Sequence, residues 1–297
     1  MAFARKNVKD LQAELAKLNN SGNADYGPDL AEWKPTTDAN GNSVSIIRFL
    51  DATDTTGHVI PFVKLYNHGF SENNRWFIEN CPTTHGNECP VCSSNSELWA
   101  TELEANKAIV RKRKRKLSYW ANILVIKDSK NPSAEGKVFK YRFGQKIMDK
   151  IDAKMSPDPE LGIEPENVAC VFEGSNFMLK VKRVAGQNPG QTFPNYDDSA
   201  FQGKSELFDG DETKLEELET KLHDLSKIVA PSEFKSPEEL QDKLNKVLRI
   251  SGSAASTKPK TESTPKSTTE SAPVQQSTPV NNNTDAELDD LLGELGL

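Results

Sequence analysis

Three cysteines and one histidine between residues 68 and 92 form the pattern of a metal site. Cys89 and Cys92 are a CxxC pair, Cys81 lies eight residues before Cys89, and His68 lies thirteen residues before Cys81. A CxxC spacing lets two thiolates bind one tetrahedral ion, and three thiolates with one imidazole are a closed ligand set of structural zinc sites. Because a closed set leaves no position for a catalytic water, the sequence predicts one structural Zn²⁺ that supports folding.

His85 is the alternative fourth ligand of this site. We favour His68, which lies in a predicted turn, Asn67-His68-Gly69, at the end of a strand, because His85 lies in the short loop between two other ligands. Free thiols or a redox-active CxxC pair are the other interpretations, and the third nearby cysteine favours a metal. Cys170 lies in a strand-like run and is expected to be a buried structural thiol.

Short runs of β-branched and aromatic residues begin near residue 33 and are separated by Gly, Asn and Pro. Such runs are typical of strands, and several short strands with few long helices predict a small barrel or sandwich. The predicted strands are Ser45–Leu50, Val59–Tyr66, Arg75–Glu79, Ser118–Ile126, Lys137–Phe143 and Asn176–Val184.

Three helices are predicted in the same region. One covers Gln145–Lys154 between two strands, and another covers about Thr213–Val229. The third begins at Ser236, an N-cap residue followed by proline at the first helical position and glutamate at the third. The predicted fold class is therefore mainly β with helical insertions.

Both ends of the chain differ in composition from the region between them. Residues 1–20 form a short basic arm with a predicted helix. Residues 251–283 are mostly Ser, Thr, Pro, Lys, Asn and Gln, which bury too little apolar surface to offset ordering entropy, so a disordered linker is predicted. In residues 284–297 acids alternate with leucines, which suits a short motif that folds on a partner. The folded core is expected within residues 21–250.

The formal net charge of −7 hides a segregation of charge along the chain. Residues 197–224 hold ten acids and three bases, residues 285–297 hold five acids and no base, and the rest of the chain has a net charge of +5. This remainder contains six consecutive cations, Arg111, Lys112, Arg113, Lys114, Arg115 and Lys116. The overall acidity is therefore no argument against a nucleic-acid partner.

The six-cation run leads directly into Tyr119 and Trp120. Cations attract phosphates through counterion release, and aromatic side chains stack on unpaired bases. Downstream, cations and aromatic residues alternate in the segment Phe139-Lys140-Tyr141-Arg142-Phe143, so the two sets point to opposite faces of a strand. Either these aromatic residues are core and the cations line a groove, or one ring also reaches the nucleic acid. A solvated loop is the alternative interpretation of the basic run by itself.

The sequence contains no pattern typical of an enzyme. P-loop, nucleophile-elbow and HExxH motifs are absent, and no acids cluster as a two-metal nuclease requires. No stretch approaches the roughly 18–20 apolar residues that span a bilayer, and the first residues lack an apolar signal-peptide core. We expect a soluble, non-secreted binding protein without enzymatic activity.

Several longer stretches are similar to a known family. They are Ile47–Leu50, Phe62–Leu65, Asn67–Phe70, Thr84–Gly86, Ser118–Val125, Glu135–Gly144 (EGKVFKYRFG), Asn176-Phe177, Leu179–Lys182, Asn195–Asp197 and Leu288–Leu292. On these residues the chain resembles the single-stranded DNA-binding, helix-destabilising proteins of T-even-like bacteriophages, over about residues 1–250 and the last dozen.

The resemblance implies a protein of three parts. A basic arm with Arg5 and Lys6 would serve self-association, and an OB-fold core with a zinc subdomain at about residues 62–100 would bind DNA. The acidic tail would bind partners through Asp285, Glu287, Asp289, Asp290 and Glu294. The family's zinc ligands match His68, Cys81, Cys89 and Cys92, in agreement with their spacing.

The resemblance also implies which residues contact DNA. The aromatic contacts would be Trp99, Trp120, Tyr141, Phe193 and Tyr196, with Arg113, Lys114 and Arg115 near phosphates, and Tyr119 is a further candidate. The chain departs from the family pattern at three places. The loop between Cys81 and Cys89 is shorter and lacks an aromatic residue, Asn7 stands where the family tends to have Ser or Thr, and the linker of residues 251–283 shows no detailed match.

These features predict a cooperative, largely sequence-independent single-stranded DNA-binding protein of phage replication, recombination and repair, acting in the cytoplasm of the infected bacterial host. The expected partners are single-stranded DNA, neighbouring copies of the protein and phage replication and recombination proteins, with its own mRNA as a further candidate and no membrane. A zinc-containing replisome adaptor and an RNA-binding translational regulator are the alternatives, and the closed zinc site disfavours a metallonuclease.

Overall fold

The computed structural model describes residues 31–51, 61–186 and 190–249. Within these residues the chain is mainly β with helices inserted between strands, as predicted. The basic arm, the linker and the acidic tail lie outside the described residues, as do the first two residues of the predicted strand Val59–Tyr66.

Nine strands in the described part of the chain form one sheet. All six predicted strands are among them, with bounds that shift by a few residues. The strands are β1 (Glu32–Trp33), β2 (Ser43–Leu50), β3 (Val63–Glu72), β4 (Arg75–Asn80), β5 (Lys116–Asp128), β6 (Val138–Phe143), β7 (Ser175–Ala185), β8 (Thr192–Asn195) and β9 (Ala200–Lys204).

The sheet is organised around β5, which pairs antiparallel with β2, β3 and β6. β2 also pairs with β7, which in turn pairs with β8 and β9, and β1 runs parallel to β6. The first half of β3 pairs with β5, and its second half forms a hairpin with β4. β3 therefore belongs both to the main sheet and to the hairpin.

Five α-helices and six short 3₁₀ turns lie in the described residues. The helices are α1 (Pro90–Ala100), α2 (Glu104–Arg113), α3 (Gln145–Met155), α4 (Glu212–Glu219) and α5 (Pro237–Leu248). α3 and α5 match predictions, and α5 begins with a capping box between Ser236 and Glu239. No helix in the described ranges is long and apolar enough to cross a bilayer. α1 and α2 were not predicted.

The prediction of one helix over Thr213–Val229 was wrong, because α4 ends at Glu219 and a separate 3₁₀ turn covers Leu225–Val229. Between them, the buried side chain of Asn122 bonds both backbone groups of His223, each at 2.9 Å. Asp224 then caps the 3₁₀ turn by accepting from the Ser226 N–H at 3.0 Å. These bonds hold residue 223 outside a helix.

Cys170 also differs from its prediction. It lies in a turn before β7, not in a strand, and it is half-buried. Its carbonyl accepts a hydrogen bond from Arg48 Nη2 at 3.1 Å. The strand-like pattern around it was misleading because the neighbouring apolar residues, Val168 and Ala169, are buried in the apolar core although they lie in a turn.

Two of the three apolar clusters in the described residues concern the candidate site. The main cluster packs β2, β5, β6, β7 and α3 around fully buried residues such as Phe49, Ile123 and Phe177. The second cluster, called here the hairpin cluster, packs the β3–β4 hairpin against α1 and α5; its buried members are Phe70, Phe77, Cys81, Cys89, Val91, Leu240, Leu244 and Val247. Two of the predicted metal ligands are therefore part of the hairpin cluster.

Candidate metal centre and nucleic-acid interface

Three elements bring the predicted metal ligands together. His68 projects from the middle of β3, Cys81 follows β4, and Cys89 and Cys92 lie at the N-cap and in the first turn of α1. Pro90 at the first helical position allows α1 to start at once after Cys89. The CxxC pair is thus held on a helix start, and the hairpin supplies the other two ligands.

The distances between the ligand atoms match those around one tetrahedral ion. His68 Nε2 lies 3.5 Å from Sγ of Cys89 and 3.5 Å from Sγ of Cys92, and Sγ of Cys81 lies 3.6 Å from Sγ of Cys92. Metal–sulfur bonds of about 2.3 Å and a metal–nitrogen bond of about 2.0 Å place tetrahedral ligand atoms about 3.5–3.8 Å apart. All four ligand atoms lie within 4.8 Å of one another. This group can hold a metal ion.

The ligands strongly affect one another's protonation. Burial lowers the pKa of His68, but hydrogen bonds to Cys81 and Cys89 and their negative charges raise it to about 9 overall. Hydrogen bonds from Cys89 and Cys92 lower the pKa of Cys81, while hydrogen bonding to Cys81 and Cys89 raises the pKa of Cys92. A bound cation would favour the thiolate form of its cysteine ligands.

His85, the alternative ligand, lies outside this group. Its Nε2 is 2.8 Å from the carbonyl oxygen of Val229, and its ring packs edge-on against Phe234 at 4.7 Å. It thereby fastens the loop between Cys81 and Cys89 to the 3₁₀ turn Leu225–Val229. The structure places His68 with the cysteines, although His68 lies within β3 and not in a turn, because the strand continues into the hairpin with β4.

The six-cation run does not form one charged surface, because it spans the end of α2, a bend and the start of β5. Each of its arginines lies over an aromatic ring: Arg111 over Trp99 at 5.9 Å, Arg113 over Phe70 at 5.9 Å and Arg115 over Tyr66 at 4.3 Å. Lys112 and Lys116 are exposed. A planar guanidinium stacks on rings more readily than an ammonium group does, so the arginines fix the path of the run.

Lys64, Tyr66, Arg115 and Tyr119 form a group that we call the tyrosine platform. Tyr66 and Tyr119 lie on the same face of β3 and β5, because Tyr119 pairs with Lys64, two residues before Tyr66. The Tyr66 ring lies between two cations, with Lys64 Nζ at 5.0 Å and Arg115 Cζ at 4.3 Å from its centroid. Rings beside cations suit a chain of stacked bases with phosphates alongside.

Hydrogen bonds and burial set the protonation of this platform. The hydrogen bond with Tyr66 is the main cause that raises the pKa of Lys64, and burial raises the pKa of Tyr119. Tyr119 stacks on Phe143 at 5.8 Å and donates from its hydroxyl to Gln145 at 3.0 Å. At neutral pH Lys64 is therefore protonated, and the ring of Tyr119 is neutral and held in place by its contacts.

A second ring with nearby cations lies on the helical pair α1–α2. Trp99 is half-buried, with Lys107 Nζ at 5.5 Å and Arg111 Cζ at 5.9 Å from its ring. Both cations also pair with Glu104, at 3.7 and 3.5 Å. Part of their charge is thus already balanced before any ligand binds.

A sequence model of the gp32 DNA binding protein like family matches residues 41–248, which contain the metal ligands, the basic run and the tyrosine platform. The chain belongs to this family.

Members of known origin match the chain over most of its length. It is 44% identical over 263 residues to the single-stranded DNA-binding protein of Enterobacteria phage T4, covering 86% of this chain and 83% of that protein. It is also 44% identical over 262 residues to the single-stranded DNA-binding protein of Enterobacteria phage T2, with the same coverage. A shorter relative, the single-stranded DNA-binding protein of Enterobacteria phage RB70, is 39% identical over 122 residues, which cover 40% of this chain and 99% of that protein.

In this member of the gp32-like family, several predicted DNA contacts are buried. Tyr141 is 3% exposed and packs edge-on against Trp33, and Phe193 is 8% exposed. Tyr196 is half-buried against the main cluster, where burial raises its pKa. The ring faces of Tyr141 and Phe193 are therefore not open to bases in this conformation. For residues 139–143 the structure supports the first of the two interpretations, in which the aromatic residues belong to the core and the cations lie on the opposite face.

Trp120 and Arg113 also lie in surroundings that the sequence did not indicate. Trp120 points to the face of β5 opposite Tyr119; it is half-buried and its Nε1 has no hydrogen-bond partner. Arg113 is 7% exposed and its guanidinium is bound to Glu72. A phosphate contact of Arg113 would have to break that pair. The predicted contacts at Arg5, Lys6 and the acidic tail lie outside the described residues.

Sequence reasoning missed Lys64 and Tyr66. A usable signal was present, because alternate residues of a strand share a face, and Lys64, Tyr66 and the predicted ligand His68 are spaced by two. Lys64, Tyr66 and His68 therefore lie on one face of β3. The platform therefore adjoins the metal centre along one face of β3.

Proposed function

We propose that this chain is a single-stranded DNA-binding protein that coats unpaired strands during phage DNA replication, recombination and repair, and that it is not an enzyme. The observation that carries the proposal is the tyrosine platform: two rings on one face of the sheet, with the cations of Lys64 and Arg115 beside the Tyr66 ring. Relatives of 44% identity bear the name single-stranded DNA-binding protein, which supports the same ligand.

Such a surface binds strands without reading their sequence. Lysines beside the platform attract phosphates and release counterions, and every base presents a flat face to stack on a tyrosine. Because a duplex does not offer its base faces, binding lowers the free energy of the melted form only. The protein would therefore destabilise duplexes without consuming ATP.

We propose that the metal is one structural Zn²⁺ bound by His68, Cys81, Cys89 and Cys92. Three thiolates and one imidazole at tetrahedral distances fit zinc, and they leave no open position for chemistry. Bound there, the ion would join β3, β4 and α1. Its role is to hold the hairpin that carries part of the platform.

The roles of the chain ends belong to this proposal as well. The basic arm with Arg5 and Lys6 would link neighbouring copies along DNA, and the acidic tail would recruit replication and recombination proteins. The charge pattern of the ends supports both roles. The site of action would be the cytoplasm of the infected host, as expected for a protein related to those of phages T4 and T2.

The decisive experiment replaces Tyr66. We expect Tyr66→Ala to weaken binding to a (dT) oligomer by about 1–3 kcal/mol, the usual loss for one base–aromatic stack. Tyr66→Phe keeps the ring and should retain most of the affinity. Affinity is measured by quenching of tryptophan fluorescence at several salt concentrations.

Equal affinities of the wild type, Tyr66→Ala and Tyr66→Phe would refute the platform as the binding surface. Absence of any quenching by poly(dT) in the wild type would favour the adaptor protein over a DNA-binding protein. Competition between DNA and RNA oligomers of one sequence distinguishes the translational regulator, which would prefer RNA.

A further inference from the structure

Arg113 differs from its neighbours in the basic run. Its side chain is 9% exposed, although Lys112 directly before it is exposed. Its Nε donates to Glu72 Oε2 at 3.1 Å, its Nη2 donates to the same oxygen, and its guanidinium lies over Phe70. A guanidinium held in this way by Glu72 and Phe70 is a structural group more than a phosphate ligand.

The backbone of Arg113 contacts the metal centre directly. Its carbonyl oxygen lies 2.9 Å from Nδ1 of His68. A carbonyl can only accept, so Nδ1 carries a proton, and Nε2 is the nitrogen that faces the sulfurs of Cys89 and Cys92, each 3.5 Å away, where it would bind a metal. Arg113 is the last residue of α2, where carbonyls lack partners inside the helix. The N–H of His68 therefore donates to a carbonyl that has no partner inside α2, and this hydrogen bond orients the imidazole ring.

We propose that Arg113 is a positioning residue of the metal centre and not a DNA contact. Its ion pair with Glu72 and its stacking on Phe70 hold the end of α2 against β3, so that its carbonyl fixes the tautomer and the direction of His68. The same residue connects the metal centre to the basic run, because Arg115 lies over Tyr66 two residues later. Groups that orient metal-bound histidines contribute measurably to metal affinity.

Glu72 provides an independent test of this assignment. Glu72, His68 and Tyr66 share one face of β3, and Glu72 is the partner of Arg113 there. If Arg113 bound phosphate, removing the negative charge of Glu72 would strengthen DNA binding. If Arg113 positions His68, removing Glu72 weakens metal binding in the same way as removing Arg113.

The experiment measures Zn²⁺ affinity by chelator competition and the Co²⁺ absorption spectrum in full-length Arg113→Met, Arg113→Lys and Glu72→Gln, with Lys112→Met as the control for losing one positive charge. We expect Arg113→Met and Glu72→Gln to lose about 10–100-fold in metal affinity, the usual effect of removing an orienting partner. Arg113→Lys keeps the positive charge but lacks the planar guanidinium, so it should lose less metal affinity than Arg113→Met does. Lys112→Met should bind metal as tightly as the wild type does.

DNA binding at saturating Zn²⁺ supplies the second readout. Each phosphate contact in a single strand contributes about 0.7 to the slope of log affinity against log salt. We expect Arg113→Met to keep the wild-type slope. Wild-type metal affinity together with a slope reduced by about 0.7 would overturn the proposal. This inference rests on the proposed metal site. Metal affinity is measured without DNA, so a failure of the proposed DNA-binding function would appear separately, as a wild-type protein that does not bind DNA.

Discussion

At the scale of single residues, buried cations hold separate segments of this molecule together. Arg48 on β2 is completely buried, and burial lowers the pKa of its guanidinium, which nevertheless stays charged. It donates to the carbonyl of Cys170 at 3.1 Å, to the carbonyl of Ser205 and to the side chain of Asn176 at 3.4 Å. One side chain thus ties β2 to the turn before β7 and to the segment after β9.

Replacing Arg48 by Met is expected to lower the free energy of unfolding by about 1–3 kcal/mol. Methionine fills much of the same volume but takes the side-chain donor away from the carbonyl of Ser205, whereas the carbonyl of Cys170 still accepts from the N–H of Gly174 at 3.0 Å. Urea unfolding measures the change. The control is Arg142→Met, because Arg142 is exposed and its loss should change stability by less than about 0.5 kcal/mol. Equal stability of the two variants would contradict the assigned role of Arg48.

Predictability from sequence differed sharply between residues of the site. The metal ligands were predictable because cysteine spacing and ion geometry restrict each other. Arg113 was not, because a run of six cations contains no signal for the one member that turns inward. Its burial depends on Glu72 and Phe70, which lie about 40 residues earlier in the chain and meet Arg113 only once β3 has folded.

At the scale of elements, strands and amphipathic helices were predictable from local patterns, whereas helices tied to the metal centre were not. α5 has a capping box and a buried face of Leu240, Leu244 and Val247. α1 buries only Val91 and Asn95, and its first turn is fixed by Cys89 and Cys92. The position of α1 depends on metal ligands, and its apolar stripe is too weak for the helix to be predicted from hydrophobic periodicity.

Removing the metal is expected to loosen one part of the fold and leave the other intact. The hairpin cluster contains Cys81 and Cys89, whereas the main cluster shares no residue with the metal site. An ion at about 100 times its dissociation constant contributes about 2.7 kcal/mol, so its removal should lower amide protection in the β3–β4 hairpin about 100-fold. Hydrogen exchange with and without a chelator measures this.

In the same experiment, amides of β2 and β7 should keep their protection, because these strands pack in the main cluster. Adding Zn²⁺ back should restore the hairpin, and adding Mg²⁺, which prefers oxygen ligands, should not. Equal loss of protection in both clusters would show that the ion supports the whole fold and not the hairpin.

At the scale of the whole molecule, charge is separated between the folded part and the C-terminal end. Many acids of residues 197–224 already have lysine partners: Asp198 pairs with Lys180 and Lys182, and Glu217 pairs with Lys221. The five acids of residues 285–297 have no base among them. The tail is therefore the acidic segment best suited to compete with DNA for the cations near the platform.

Deleting residues 284–297 is expected to tighten binding to single-stranded DNA at low salt. The predicted linker of residues 251–283 would have a root-mean-square length of about 30 Å, which brings the tail within reach of the folded surface at roughly millimolar effective concentration. The gain should shrink as salt rises, because the competition is electrostatic and the screening length falls below about 8 Å above 0.15 M. Fluorescence titration across a salt series measures it.

A matched variant distinguishes the effect of the tail's charges on DNA binding from the effect of its leucines. Replacing Asp285, Glu287, Asp289, Asp290 and Glu294 by their amides keeps every leucine and removes all five charges. If the tail competes through charge, this variant binds DNA as tightly as the deletion does, and both lose affinity more steeply with rising salt than the wild type does. If the amide variant behaves like the wild type while the deletion binds more tightly, the leucines hold the tail on the core, and the competition is hydrophobic. Unchanged affinity in both variants at every salt concentration would mean that the tail does not compete with DNA.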